Sequence, residues 1–418
     1  MNSYGWTKHE RSGLNFRKRF FLYLFHVMRV AFLRHGAFLP RSILFHVCSG
    51  CIVFGLSVMA VAVLSPEDHG RFALLLSGML VGVSILTALF LDPFSQRGRC
   101  SRMHGRMLRA IFGWFGLAAS LPGTLMVCFS SAQWFALPVS GFLLSPGLAI
   151  VFLHRRLMQA GICTGPKVWI WVGLCPLAIC TLVLSGDVTP HNIVLVLSIT
   201  SIGCLAHFSP LRVRVLKSVL AWHMRKGICL VLALPVALVV QQGPVLAVAA
   251  FHGPEGAGDW RRIQLLMMPV LQGVAFLGGY LQPRLARLVR EEQKRLAKTR
   301  ALVFGGTLSG FSCLWCIGLC ITGDDPGHSR IPLPVHGVGV AEGVLACTYL
   351  VAVSMAAATG IFVRARQDNV RVLMATLCAG GVCIVGLPLC ASSGVAALLG
   401  LLALSYATNA VVLAWPQQ

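Results

Sequence analysis

The distribution of lysine and arginine along the chain constrains its fold more than any other feature. Twelve apolar stretches are each long enough to cross a bilayer, which takes roughly 20 mainly apolar residues in a helix. When the connections between them are numbered in order, the N-terminal segment and the even-numbered connections hold 31 of the 35 lysines and arginines. The twelve stretches lie near residues 43–64, 72–93, 110–130, 133–153, 168–185, 192–208, 227–250, 263–282, 301–322, 343–363, 372–390 and 394–414.

This asymmetry predicts both the orientation and the division of the chain. Basic connections stay on the cytoplasmic side of a membrane, so both termini are expected in the cytoplasm. The fold class predicted is an all-α polytopic membrane protein with about twelve transmembrane helices in two six-helix lobes. We expect a basic amphipathic segment on the cytoplasmic surface at 1–42, the first lobe at 43–208, a basic cytoplasmic linker at 209–226 and the second lobe at 227–418. Two six-helix halves are common in transporters, which bind substrate between them near the midplane.

The composition excludes several other classes of protein. The chain is 56% hydrophobic and 11% charged, which leaves no room for a sizeable soluble domain. The net charge of +22 follows the predicted topology, so anionic lipid headgroups are the expected counter-charge and nucleic acid is not. Cys313 and Cys316 have metal-ligand spacing. Because they lie within a predicted span without histidine or acidic partners, we expect them to be packing residues.

The sequence carries no recognisable catalytic constellation. We find no glycine-rich phosphate loop, no serine–histidine–aspartate arrangement at credible spacing and no metal cluster. The prediction is therefore a protein that is not an enzyme and needs no cofactor.

Several stretches resemble Wzx-like polysaccharide flippases, which belong to the multidrug/oligosaccharidyl-lipid/polysaccharide, MATE-like exporter superfamily. The clearest is the first predicted outer connection with its flanks, 64–75, which reads Leu-Ser-Pro-Glu-Asp-His-Gly-Arg-Phe-Ala-Leu-Leu. The entries to the seventh and eighth spans, the exit of the eighth and the small residues of the last are also similar to that family. They lie at 223–227, 261–270, 280–286 and 394–400.

The resemblance implies a function that the residues alone do not. It implies a flippase of the bacterial inner membrane that moves polyprenyl-pyrophosphate-linked oligosaccharide units by alternating access, for exopolysaccharide, capsule or O-antigen synthesis. The implied partners are the lipid-linked glycan, membrane lipids, glycosyltransferases and polysaccharide polymerase or export proteins. Three alternatives stay open: an ion-coupled multidrug exporter of the same superfamily, an integral-membrane glycan polymerase or ligase, and a scaffold that has lost transport.

The resemblance also implies a cationic cavity, from which this chain departs because no lysine or arginine lies deep in a predicted span. The candidates for contact with the substrate phosphates are therefore at span ends, although for each one taken singly an anchor to lipid headgroups is the favoured interpretation. On the cytoplasmic side they are Arg41, Arg97, Arg99, Arg109, Arg225 and Lys226, and on the outer side Arg71, Arg261 and Arg262.

Uncharged and acidic residues within the spans complete the candidate site. Asp92 is the one acid near membrane depth, where it could couple transport to an ion or pair structurally with Arg97 and Arg99. Five polar residues could line the cavity or hydrogen-bond between helices: His46, Gln241, Gln242, Gln272 and Asn409. Gly306-x-x-x-Gly310 is expected to allow close helix approach, and Trp260 is expected at the membrane interface.

Overall fold

The computed structural model describes residues 69, 77, 80–93, 153, 213–323 and 340–415. The predicted segment 1–42 and most of the predicted first lobe lie outside these residues. The described residues thus comprise most of the predicted second lobe and a small part of the first.

The described residues form seven helices. Helix α1 covers 80–93 and contains a π-helical turn at Thr87–Leu91. A helical segment at Val213–Arg290 breaks at Gly253 into α2 (213–252) and α3 (254–290). The remaining helices are α4 (Lys294–Gly323), α5 (Val340–Ala365), α6 (Asn369–Ser393) and α7 (Val395–Ala414).

Helices α2 to α7 each contain a stretch long and apolar enough to cross a membrane. These candidate spans are Ile228–Gly253, Glu255–Arg290, Lys294–Leu319, Ala341–Ala365, Asn369–Ser393 and Val395–Ala414. Each overlaps one of the last six predicted spans, so the all-helical polytopic character of this part of the chain is confirmed. The number twelve stays a prediction, because the earlier spans fall mostly outside the described residues.

The helices alternate in direction, which defines two ends of the bundle. Turns at 291–293 and 366–368 lie at one end, which we call the basic end. The Glu255–Arg290 span has 36 residues and so is roughly 54 Å long, well beyond a hydrocarbon core of about 30 Å. Its last two turns and the start of α4 carry the exposed basic residues Arg287, Arg290, Lys294, Arg295 and Lys298. The break at Gly253, the end of α4, the start of α5 and Gly394 belong to the opposite end.

Local sequence explains how the helices at the two ends begin and stop. The Asp368 side chain accepts a hydrogen bond from the Arg371 backbone N–H at 3.2 Å, which caps the start of α6. Gly253 has φ 71° and Gly394 has φ 104°, conformations that favour glycine. The single break at Gly253 joins α2 to α3, where the sequence predicts a longer connection at 251–262.

Close helix contact in this lobe depends on other glycines than the predicted pair. A Cβ at Gly306 or Gly310 would meet nothing within 4 Å among the described residues, so these two glycines bring no helices together in this part of the chain. The contact uses Gly305 instead, where a Cβ would lie 2.7 Å from Cβ of Ala358. Helix α4 therefore packs on α5 through the residue next to Gly306, which lies about 100° away from it around the helix axis.

Candidate functional site: a cavity at the basic end

A cavity of about 360 Å³ lies between α1 and the helices of the second lobe, in the half of the bundle towards the basic end. This volume falls in the lower part of the range of ligand pockets. Helix α1 contributes Thr87, Leu91 and Asp92, so both predicted lobes share the wall. The cavity therefore lies where a two-lobed transporter binds substrate.

Helical periodicity places the lining residues. On α5 the wall is formed by 353, 356, 357, 360, 361 and 364, which recur at spacings of three and four and so share one face. On α3 the lining residues 274, 275, 278, 279 and 282 follow the same rule. Many of them are glycine or alanine, and these small side chains leave room for the cavity.

Most hydroxyl groups in the wall already bond to backbone carbonyls. Thr87 Oγ1 donates to Val83 O, and Thr376 Oγ1 donates to Val372 O, each at 2.8 Å within its own helix. Ser405 Oγ donates across to Ala379 O at 2.8 Å and joins α7 to α6. The groups with the greatest capacity to recognise a ligand are therefore the charged side chains and the amides.

Arg364 is the functional candidate that sequence reasoning missed. The predicted span ends at residue 363, which assigns Arg364 to a cytoplasmic connection, yet α5 continues to Ala365 and carries Arg364 on its cavity face. Its Nε is buried and has no hydrogen-bond partner among the described residues. The period of α5 could have identified it, since Arg364 continues the stripe through Val353, Ala357 and Gly360.

Asp92 shares this cavity, next to the π-helical turn. The Asp92 N–H bonds to Thr87 O, which is the wide five-residue spacing of a π turn. Pro93 follows, and its ring would clash with the carbonyl four residues earlier in a regular α-helix. The wide turn accommodates this proline and brings Thr87, Leu91 and Asp92 to the cavity wall.

The structure distributes the other predicted site residues unevenly. Gln241 and Asn409 line the cavity together with Gln282, while Gln242 and Gln272 are not among its lining residues. Arg225 and Lys226 lie on the helical backbone of α2, and nothing is described of their side chains. Arg41, Arg71, Arg97, Arg99, Arg109 and His46 fall outside the described residues.

Arg261 and Arg262 lie far from the cavity, at the opposite end. Arg261 is buried, as is Trp260, which the sequence placed at the membrane interface. Trp260 belongs to an apolar core with Val248, Met267 and Leu398, which fills the bundle between the cavity and this end. His252 Nε2 donates to Ala391 O at 2.9 Å and ties α2 to α6 there. Among the described residues, the opposite end is thus packed, whereas the basic end contains the cavity.

Comparisons with known proteins identify the fold. No protein-family model and no curated protein matches the chain. A solved structure described as the inward-facing conformation of a multidrug resistance MATE family transporter of the MOP superfamily has a TM-score of 0.54 at 12% identity, covering 87% of this chain and 92% of the other. A MOP superfamily transporter from Pyrococcus furiosus has a TM-score of 0.48 at 14% identity, covering 90% and 91%. A MATE structure in complex with Br-NRF has a TM-score of 0.41 at 17% identity, covering 90% of this chain and 94% of the other.

At these identities the likeness concerns the fold alone, and it rests on the MATE transporter with a TM-score of 0.54. The chain is similar in its polytopic helical fold to that transporter.

Proposed function

We propose that this protein is a flippase of the bacterial inner membrane that moves polyprenyl-pyrophosphate-linked oligosaccharide by alternating access. The observation that carries the proposal is Arg364 in the cavity wall, with a buried Nε that has no hydrogen-bond partner among the described residues. A pyrophosphate would supply the missing acceptor, because guanidinium groups bind phosphate oxygens through charge-assisted hydrogen bonds. The diphosphate of the lipid is therefore proposed to bind beside α5.

The remaining polar wall suits sugars next to the phosphate. Gln241, Gln282 and Asn409 present amide groups, which can both donate to and accept from sugar hydroxyls. Tyr406 adds an aromatic ring and packs edge-on against Tyr349, with centroids 5.7 Å apart. A cavity of about 360 Å³ would hold the headgroup and not a whole oligosaccharide, so the outer sugars would extend towards the basic end.

The position of the cavity supports loading from the cytoplasm. The basic end is predicted to face the cytoplasm, where such lipids are built, and its exposed cations would attract a diphosphate headgroup. The packed core at the opposite end would block release until the lobes rock. The described arrangement is thus proposed to be a loading state.

The test compares Arg364 with a matched cation two residues away. In a host that lacks this gene, complementation with Arg364→Gln should leave completed lipid-linked oligosaccharide on the cytoplasmic leaflet, whereas Arg366→Gln should restore delivery, because Arg366 is exposed outside the cavity. Loss of a charged hydrogen bond of about 1.5–3 kcal/mol predicts a rate roughly 10- to 150-fold lower. Leaflet-selective labelling with mass spectrometry gives the readout.

Two outcomes of this experiment would overturn the proposal. Normal delivery by a well-expressed Arg364→Gln variant would remove the role of this arginine. Delivered but unpolymerised units in the deletion strain would instead support the polymerase alternative.

Asp92 in the same wall favours a second candidate, an ion-coupled exporter of cationic compounds. A carboxylate in the cavity could bind a cation or a coupling proton. This candidate predicts that Asp92→Asn abolishes drug resistance while Arg364→Gln leaves it intact. The flippase proposal predicts instead that Arg364→Gln lowers oligosaccharide delivery more than Asp92→Asn does.

A further inference from the structure

A second cationic group is buried at the opposite end of the bundle, away from the cavity. Arg261 is 5% exposed and His69, from the first predicted outer connection, is 0% exposed. Arg261 Nη1 donates to Gln264 Oε1 at 2.9 Å, on α3. The Nε and Nη2 of Arg261 and both ring nitrogens of His69 are enclosed and have no partner among the described residues.

Among the described residues, the charges around this group do not balance. Arg262 Nη1 pairs with Asp259 at 2.9 Å, but that pair is largely exposed, and the Nε of Arg262 is also buried without a partner among the described residues. Gln264, the partner of Arg261, is neutral. A buried guanidinium without a counter-charge is strongly unfavourable, since its lost hydration is not replaced.

Both burial and the two arginines affect the protonation of His69. Burial lowers the pKa of His69 from 6.5 to about 4, and the charges of Arg262 and Arg261 act in the same direction. His69 is therefore neutral at pH 7, with one ring nitrogen able to donate a hydrogen bond. The group as a whole offers donors and a positive potential to whatever binds there.

The free edge of Arg261 specifies the shape of the ligand. Nε and Nη2 lie on one side of the planar guanidinium, and their N–H groups are parallel, whereas Nη1 is occupied by Gln264. This edge binds two oxygens of one tetrahedral or planar oxyanion. A spherical ion such as chloride would use only part of it.

We propose that Arg261, assisted by His69 and Arg262, binds a phosphate-type oxyanion at the end of the bundle opposite the cavity. The phosphate could belong to free inorganic phosphate or to a lipid headgroup, since both present the same oxygens. The site uses none of the cavity residues. Arg261 and Arg262 are also the outer-side arginines that the sequence predicts to contact the substrate phosphates, but binding of phosphate here can be tested without transport. Bound phosphate would provide the counter-charge that the described residues lack, and so would stabilise the packed opposite end.

The test measures the apparent Tm of the purified full-length protein. One arm titrates inorganic phosphate against chloride at constant ionic strength and pH 7, in detergent. The other compares nanodiscs of phosphatidylcholine with nanodiscs that also contain phosphatidylglycerol. Phosphate at about 100 times its Kd should raise the Tm by at least about 2 °C, and the Tm should keep rising with the logarithm of the phosphate concentration.

Variants separate binding from a structural role. Arg261→Met should abolish the phosphate response and should raise the Tm in phosphate-free buffer, because it removes a buried charge that has no counter-charge among the described residues. Arg261→Lys keeps the charge but loses the two-pronged edge, so its affinity should fall roughly tenfold or more. The exposed cation Arg300 provides the control, and Arg300→Gln should respond like the wild type.

Each outcome either supports or overturns the proposal, and the two arms distinguish the free ion from a lipid headgroup. A response to inorganic phosphate that depends on Arg261 supports a site for the free ion. A response confined to phosphatidylglycerol, again dependent on Arg261, supports a lipid headgroup. No response of the wild type in either arm overturns the proposal, and so does a response that Arg261→Lys and Arg261→Met both retain. If Arg261→Met does not fold, the wild-type titration and Arg261→Lys give the answer.

Discussion

Substitution of Gly305 by alanine would place a methyl group 2.7 Å from Cβ of Ala358 and 3.3 Å from Sδ of Met355. The methionine can move aside, but the Ala358 Cβ is fixed to the backbone of α5. Helices α4 and α5 would have to separate by about 0.7 Å to bring 2.7 Å to ordinary contact at 3.4 Å. Overpacking of this kind costs about 1–3 kcal/mol.

The neighbouring Gly306 supplies a matched control. A Cβ there meets nothing within 4 Å among the described residues, so Gly306→Ala should stabilise the protein by up to about 1 kcal/mol through helix propensity. Because both variants gain that propensity, their difference in unfolding free energy isolates the overpacking cost of about 1–3 kcal/mol.

Reversible unfolding in mixed micelles, or the apparent Tm in detergent, measures this difference. Gly305→Ala should be the less stable of the two variants. Equal stability, or a more stable Gly305→Ala, would refute the helix contact through Gly305. Gly380, which contacts Val236, and Gly381, which meets nothing within 4 Å among the described residues, provide an independent pair in α6.

Three further predictions test other contacts. Ser405→Ala removes the hydroxyl that donates to Ala379 O, and should lower the free energy of unfolding by about 0.6–1.7 kcal/mol in denaturant titrations. The pKa of His69 is lowered from 6.5 to about 4, so between these two pH values the unfolded state binds more protons than the folded state. In phosphate-free buffer the Tm should therefore fall as the pH drops from 6.5 to 4, and His69→Gln should make the Tm depend less on pH. The Sγ atoms of Cys313 and Cys347 lie 3.7 Å apart, so a mild oxidant should form a disulfide that links α4 to α5. A mass shift in the peptide that contains both cysteines would reveal the disulfide, and Cys313→Ser should prevent it.

The sequence predicted the membrane spans of the second lobe because the relevant signal is local. Hydropathy alone marks where a helix of about 20 residues can cross lipid, and α2 to α7 follow that rule. Helix ends were less predictable. The end of α5 lies at Ala365, only two positions beyond the predicted end of the span, yet this small shift changes Arg364 from a loop residue into a cavity residue.

Burial and helix-to-helix contact could not be predicted from local signals. The burial of Arg261 depends on how the helices pack in three dimensions, which its sequence neighbourhood does not specify. The choice between Gly305 and Gly306 as the contact depends on how α4 is rotated towards α5, which the glycine spacing does not specify. Asp92, Gln241 and Asn409 were proposed from chemistry alone, and the structure places them in one cavity wall while their roles stay predictions.

The break at Gly253 limits how the second lobe can move. One residue with φ 71° joins two membrane-crossing helices, so α2 and α3 share a joint of fixed length. Such a pair can pivot about the joint, but neither helix can slide along the membrane normal without pulling the other with it. In the alternating access that we propose, these two helices would therefore tilt together about the joint, and neither would slide along the membrane normal independently of the other.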